Sequence, residues 1–157
     1  MPGAHGGGDG GCGALPSSAM SAILLSVHVI VAILAVGPIV VAASMFPRDA
    51  RDDAARPVAN VLYRICETYA VVGVAVPLLG IATAVSMGVL TQAWVLVSIA
   101  LTAVAAVILV GSVLPAQRAV LGGASAGRLA MSTGIFNLLW VAATILMIVR
   151  PGSSTGV

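Results

Sequence analysis

Four runs of apolar residues follow one another along the chain, at 20–46, about 68–90, 94–114 and 131–149, and none of them alternates polar with apolar positions. A helix rises about 1.5 Å per residue and the hydrocarbon core of a bilayer is about 30 Å thick, so each run is long enough to cross, the first with length to spare for tilt. Strands of a membrane barrel would alternate over about ten residues. The pattern therefore predicts an all-α protein, a four-helix transmembrane bundle occupying 20–151.

Within each run the small and polar residues share a side at heptad spacing: Ser21, His28, Ala32, Ala35 and Ala42 in the first, Gly73, Pro77, Gly80 and Ala84 in the second, Ser98, Thr102, Ala105 and Ser112 in the third, Thr133, Asn137, Trp140 and Thr144 in the fourth. Lipid tails are as apolar as leucine, so helices in a membrane are held by close approach of small residues and by hydrogen bonds across the seam. These stripes are the expected seams, with Thr102, Asn137, Trp140 and Thr144 as polar groups of the bundle interior. Gly37-Pro38 and Pro77 each interrupt a span and predict kinks.

The connections set an orientation. Arg48, Arg51, Arg56 and Arg64 lie between the first two spans and Arg118 and Arg128 between the last two, whereas the opposite side carries only Arg150. By the positive-inside tendency the loops 47–66 and 115–130 face the cytoplasm and both termini lie outside. In the first loop three aspartates, Asp49, Asp52 and Asp53, precede Pro57, which predicts a helix start near that proline and an interfacial turn on which Arg64 and Glu67, i and i+3, form an ion pair.

Residues 1–19 are dominated by glycine with a single acid, and they cannot bury enough apolar surface to offset their ordering, so disorder is expected there and again at 152–157. The tail has no basic residue and the apolar run behind it is too long for a secretory signal, which makes Met20 a candidate start of translation. Intact mass of the native protein tests that reading.

Composition strengthens the membrane assignment. Of 157 residues 60% are hydrophobic and 8% charged, where a soluble domain carries charge on about a quarter. The seven basic residues are all arginine and sit in short loops, an orientation signal that excludes a nucleic-acid footprint. The two cysteines, Cys12 and Cys66, fall on opposite sides of the expected membrane and make no disulfide framework. Phosphate-binding loops, nucleophile elbows and His-Glu-x-x-His pairs are absent, and no connection is long enough for a catalytic domain.

One residue asks for chemistry. His28 is the only titratable side chain inside an expected hydrocarbon region, about 12 Å below the outer boundary at helical rise. Even neutral imidazole needs a partner there, and Thr102, Trp140, Thr144 and the deeper Asn137 are candidates. Imidazole between helices is also a haem ligand, with Met87 or a second copy of His28 supplying the other axial position, or a copper ligand.

The histidine of Val27-His28-Val29 with Gly37-Pro38 behind it, the Gly73 and Pro77-Leu78-Leu79-Gly80 of the second span, Val113-Leu114-Pro115 and the closing Met147-Ile148-Val149-Arg150-Pro151 resemble a bacterial family of four-helix integral membrane proteins of unknown function. That family is similar to the copper-resistance D type and J-type protoporphyrinogen oxidase membrane proteins, and the resemblance implies haem or copper at His28 in a bacterial plasma membrane. Three functions follow as expectations: an accessory or assembly subunit of a membrane complex or homo-oligomer, a haem-binding redox protein using His28, and a small-solute or copper carrier.

Overall fold

A computed structural model describes residues 17–152. Of the disorder expected at 1–19 and 152–157, residues 1–16 and 153–157, with His5 and Cys12, lie outside the described residues, whereas 17–19 are helical and Gly152 lies in a turn, which corrects the expectation there. Four helical spans, Ser18–Asp49, Asp53–Ser86, Ala93–Leu121 and Gly127–Val149, are each long and apolar enough to cross a membrane. The four-helix transmembrane architecture predicted from the apolar runs is what the chain adopts, and the described residues contain no strand.

Helix α1 runs Ser17–Asp49, beginning three residues before Met20 and continuing without interruption through Pro38 and Pro47. Each proline removes one N–H, so the carbonyls of Leu34 and Ala43 lose their helical donors while the helix persists. Asp52 then closes the loop by accepting from the Ala54 N–H at 3.0 Å, which caps a short 3-10 turn, Asp53–Ala55. Helix α2, Arg56–Gly73, starts with Pro57 in its first turn, as the loop composition predicts.

The second span is broken at Val74, after which α3, Ala75–Ser86, completes the crossing. Pro77 cannot donate to the Gly73 carbonyl, and the break falls at that missing bond. In the third span α4, Ala93–Ile108, passes through a π-helical stretch, Leu109–Val113, into α5, Leu114–Leu121. Pro115 leaves the Gly111 carbonyl without its donor, and the wider turn lies immediately before it. This span continues seven residues beyond the expected end at Leu114. The last helix, α6, covers Gly127–Val149 and stops where Arg150 turns left-handed at φ 46°.

Two antiparallel hairpins result. Helix α1 lies along α2 and α3, and α4 lies along α6, with less contact between the pairs than within them. The apolar cluster that joins the hairpins, which includes Ile39, Phe46, Cys66, Leu109, Leu129 and Phe136, is concentrated in the half nearest the arginine-bearing loops. At the other end Ser21 donates to the Ser86 carbonyl at 3.1 Å, and the Arg150 guanidinium lies 5.7 Å from the Trp94 ring centroid.

Candidate functional site

His28 is buried, 8% exposed, on the α1 face that also carries Ala35, Ile39, Ala42 and Phe46. These positions recur at helical spacing, so a single stripe of α1 faces the rest of the bundle. The imidazole meets α3 at Gly80. A Cβ built on that glycine would stand 3.0 Å from His28 Cε1 and 3.5 Å from each ring nitrogen, so any side chain there presses on the ring, which would have to give by a few tenths of an ångström. The ring hydrogen-bonds to the backbone of Val76, one turn before Gly80. Its Nδ1 is buried without a partner.

The partners expected for His28 are elsewhere. Thr102 is buried, but its hydroxyl donates to the Ser98 and Ile99 carbonyls, both at 2.9 Å. Thr144, expected inside, is exposed and donates to the Trp140 carbonyl at 2.8 Å. Asn137 is half-buried and its amide donates to Ser44 of α1 at 3.1 Å. Trp140 is half-buried, edge-on to Phe136 at 6.4 Å, with its indole N–H unpartnered. The physical reason is local: a threonine in a helix reaches its own preceding carbonyls more readily than a neighbouring helix, and no cross-helix bond is then needed.

The ion pair expected between Arg64 and Glu67 is also corrected. Glu67 instead bonds to Arg118 of α5 at 2.8 Å and accepts from the Tyr63 hydroxyl at 3.1 Å. Arg118 donates to that same hydroxyl and lies 5.5 Å from the Tyr63 ring centroid. Tyr63 and Glu67 are i and i+4, on the α2 face turned toward α5, whereas Arg64 is rotated about 100° away from Tyr63. Arg64 lines a groove of about 520 Å³ with Asn60, Thr68 and Leu121.

No known family, curated protein or solved structure matches this chain. The resemblance stated above therefore rests on its own short motifs.

Two groupings escaped the sequence reading. Gln117 is fully buried and its amide donates to the buried Cys66 sulfur at 3.5 Å, while its Oε1 has no partner. It belongs by sequence to an arginine-bearing connection, and only the continuation of the third span past Pro115 turns it inward; that proline, eight residues after Val107, is the available signal. The second is a groove of about 420 Å³ between α1 and α6 at the arginine end, lined by Ser44, Arg48, Arg51, Thr133 and Asn137 among small residues. His28 lines neither groove. Among the described residues no three His, Cys, Asp or Glu side chains come together as a metal site would require.

Proposed function

We propose that this chain is an accessory or assembly subunit of a bacterial plasma-membrane complex, with the arginine-bearing loops cytoplasmic and both termini outside. The observation that carries this reading is the uneven packing of the bundle. Apolar packing between the hairpins is concentrated at the arginine end, and only 17% to 28% of each span's most apolar window is buried within the chain. Along its length away from the arginine end α1 turns Ile30, and at its middle Ile33 and Leu34, outward, 55% to 66% exposed, beside a seam of small and polar residues. Helices associate in lipid through close-packed small-residue faces, so a bundle left open at one end accepts further helices there.

Site-specific photo-crosslinking from Ile30 and Ile33 in native membranes tests the proposal. A discrete protein adduct is expected; adducts to lipid alone would refute it. Cysteines placed one at a time in the loops 47–66 and 115–130, with Cys12 and Cys66 replaced, test the orientation through a reagent that does not cross the membrane. Labelling from outside the cell would reverse it.

A second reading is favoured by one observation, the unpartnered Nδ1 of His28. A neutral imidazole held against the Val76 backbone with Nδ1 buried and unpartnered has a nitrogen lone pair free to ligate, as in a metal-bound histidine. Haem or copper held there would need its remaining ligands from a second copy or a partner. The absorbance spectrum and metal content of protein purified in mild detergent decide this: a Soret band or stoichiometric copper lost in His28→Ala supports it, and colourless, metal-free protein overturns it.

A further inference from the structure

The groove between α1 and α6 has a composition that the assembly reading does not use. Its floor is made of Ala43, Ala130 and Gly134, and a Cβ added at Gly134 would meet nothing within 4 Å. Its mouth carries Arg48 and Arg51. Among the described residues the ion pairs are Arg56 with Asp53 and Arg118 with Glu67, so neither mouth arginine is neutralised by a carboxylate. The nearby aspartates do not take that place: Asp53 faces Arg56, Asp52 caps the Ala54 N–H, and Asp49 forms no ion pair with either arginine. One helical turn deeper, about 5.4 Å, Ser44 meets Asn137. Beside them Thr133 is buried at 4% exposed with its hydroxyl unpartnered, and Asn137 Oδ1 is unpartnered as well.

We infer that this groove seats one anionic phospholipid. Its phosphodiester lies between Arg48 and Arg51, its glycerol ester region reaches the level of Ser44, Thr133 and Asn137, and an acyl chain runs down the small-residue floor. The order of chemistry along the groove is that of a lipid read from headgroup inward: cations, then hydrogen-bonding groups, then a surface with no side chains in the way. Arginine suits the first level because its planar fork matches phosphate oxygens. An ester carbonyl supplies an acceptor for the Thr133 hydroxyl.

The charge balance of the chain also favours a lipid over a second copy as the occupant. A helix docking here would bring few anions to Arg48 and Arg51, since the only glutamate is Glu67, engaged by Arg118, and of the described aspartates only Asp49, at the last position of α1, belongs to an α-helix. A bilayer presents phosphate at this depth without any such requirement.

Native mass spectrometry of the full chain in mild detergent, titrated with dioleoyl phosphatidylglycerol, tests the inference. One lipid is expected to be retained. Two arginines at a membrane surface contribute about 1 kcal/mol each toward an anionic lipid, so Arg48→Gln/Arg51→Gln weakens retention about 30-fold. Arg48→Lys/Arg51→Lys keeps most of it. Gly134→Leu fills the groove and removes the lipid, its Cβ itself entering open space. Equal retention by the wild-type and double-Gln proteins would overturn the assignment. So would glycerol phosphate competing at the same concentration as the lipid, which would indicate a site for a free anion, or Gly134→Leu changing dimer content and not lipid content, which would indicate a second copy. None of these outcomes depends on whether a partner crosslinks to Ile30 or Ile33.

Discussion

Replacing Gly80 with alanine tests the contact on which the buried histidine depends. The added Cβ would lie 3.0 Å from His28 Cε1, inside the optimal carbon separation of about 3.5–4.0 Å. Overpacking of this kind costs about 1–3 kcal/mol where the neighbour cannot withdraw. The ring is constrained, being buried and bonded to the Val76 backbone of the same helix. Alanine also gains about 1 kcal/mol over glycine through helix propensity, so the net change in the wild-type background is a loss of about 0–2 kcal/mol. Removing the imidazole separates the two effects. In His28→Ala the steric cost disappears and Gly80→Ala becomes stabilising by about 1 kcal/mol. The double-mutant cycle, read by reversible unfolding in mixed detergent, should thus give a coupling of about 1–3 kcal/mol. Independent sites add to within about 0.5 kcal/mol, and coupling inside that limit would show that the ring and the glycine do not touch.

Three further outcomes follow from the same geometry. Gln117→Leu removes a fully buried amide whose Oε1 lacks a donor, a defect worth about 1–3 kcal/mol, so the variant should unfold at a higher detergent mole fraction than wild type, and a lower one would mean that the oxygen is satisfied. In cycles with Glu67→Gln, coupling is expected for Arg118→Gln and none for Arg64→Gln; the reverse result would restore the local i, i+3 pair. With Cys12 replaced by serine, Cys66, 0% exposed, should react with a maleimide only at the rate of global unfolding, and prompt labelling in the folded state would contradict its burial.

How far the sequence carried depended on the scale of the question. The number of spans was legible because it follows from a one-dimensional quantity, the length of each apolar run against the thickness of a bilayer. The start of α2 near Pro57 was legible for a similar reason, since the proline and the preceding acids act within one turn. The small stripes identified which sides face inward for the first three spans, and Ser98, Thr102 and Ala105 are buried together. The fourth span was misread at Thr144: the buried face of α6 runs through Leu129, Phe136 and Ala143, and Thr144, one residue on from Ala143, is turned about 100° away from it.

Partners were beyond the sequence. Glu67 has Arg64 three residues away, yet its cation comes from Arg118, a neighbour only because α5 returns alongside α2. His28 was legible as a buried group needing company, but the residue it meets is Gly80, which offers no side chain and so gives no chemical signal of its own. The amino-acid order by itself determined that this chain forms four membrane-length helices and which loops concentrate its arginines, because helix formation and lipid partitioning act over a few turns of chain. Tertiary structure alone decided which polar atoms are paired, which are stranded and where a groove opens, because those outcomes depend on how two hairpins dock, and docking brings together residues as far apart as Ser44 and Asn137.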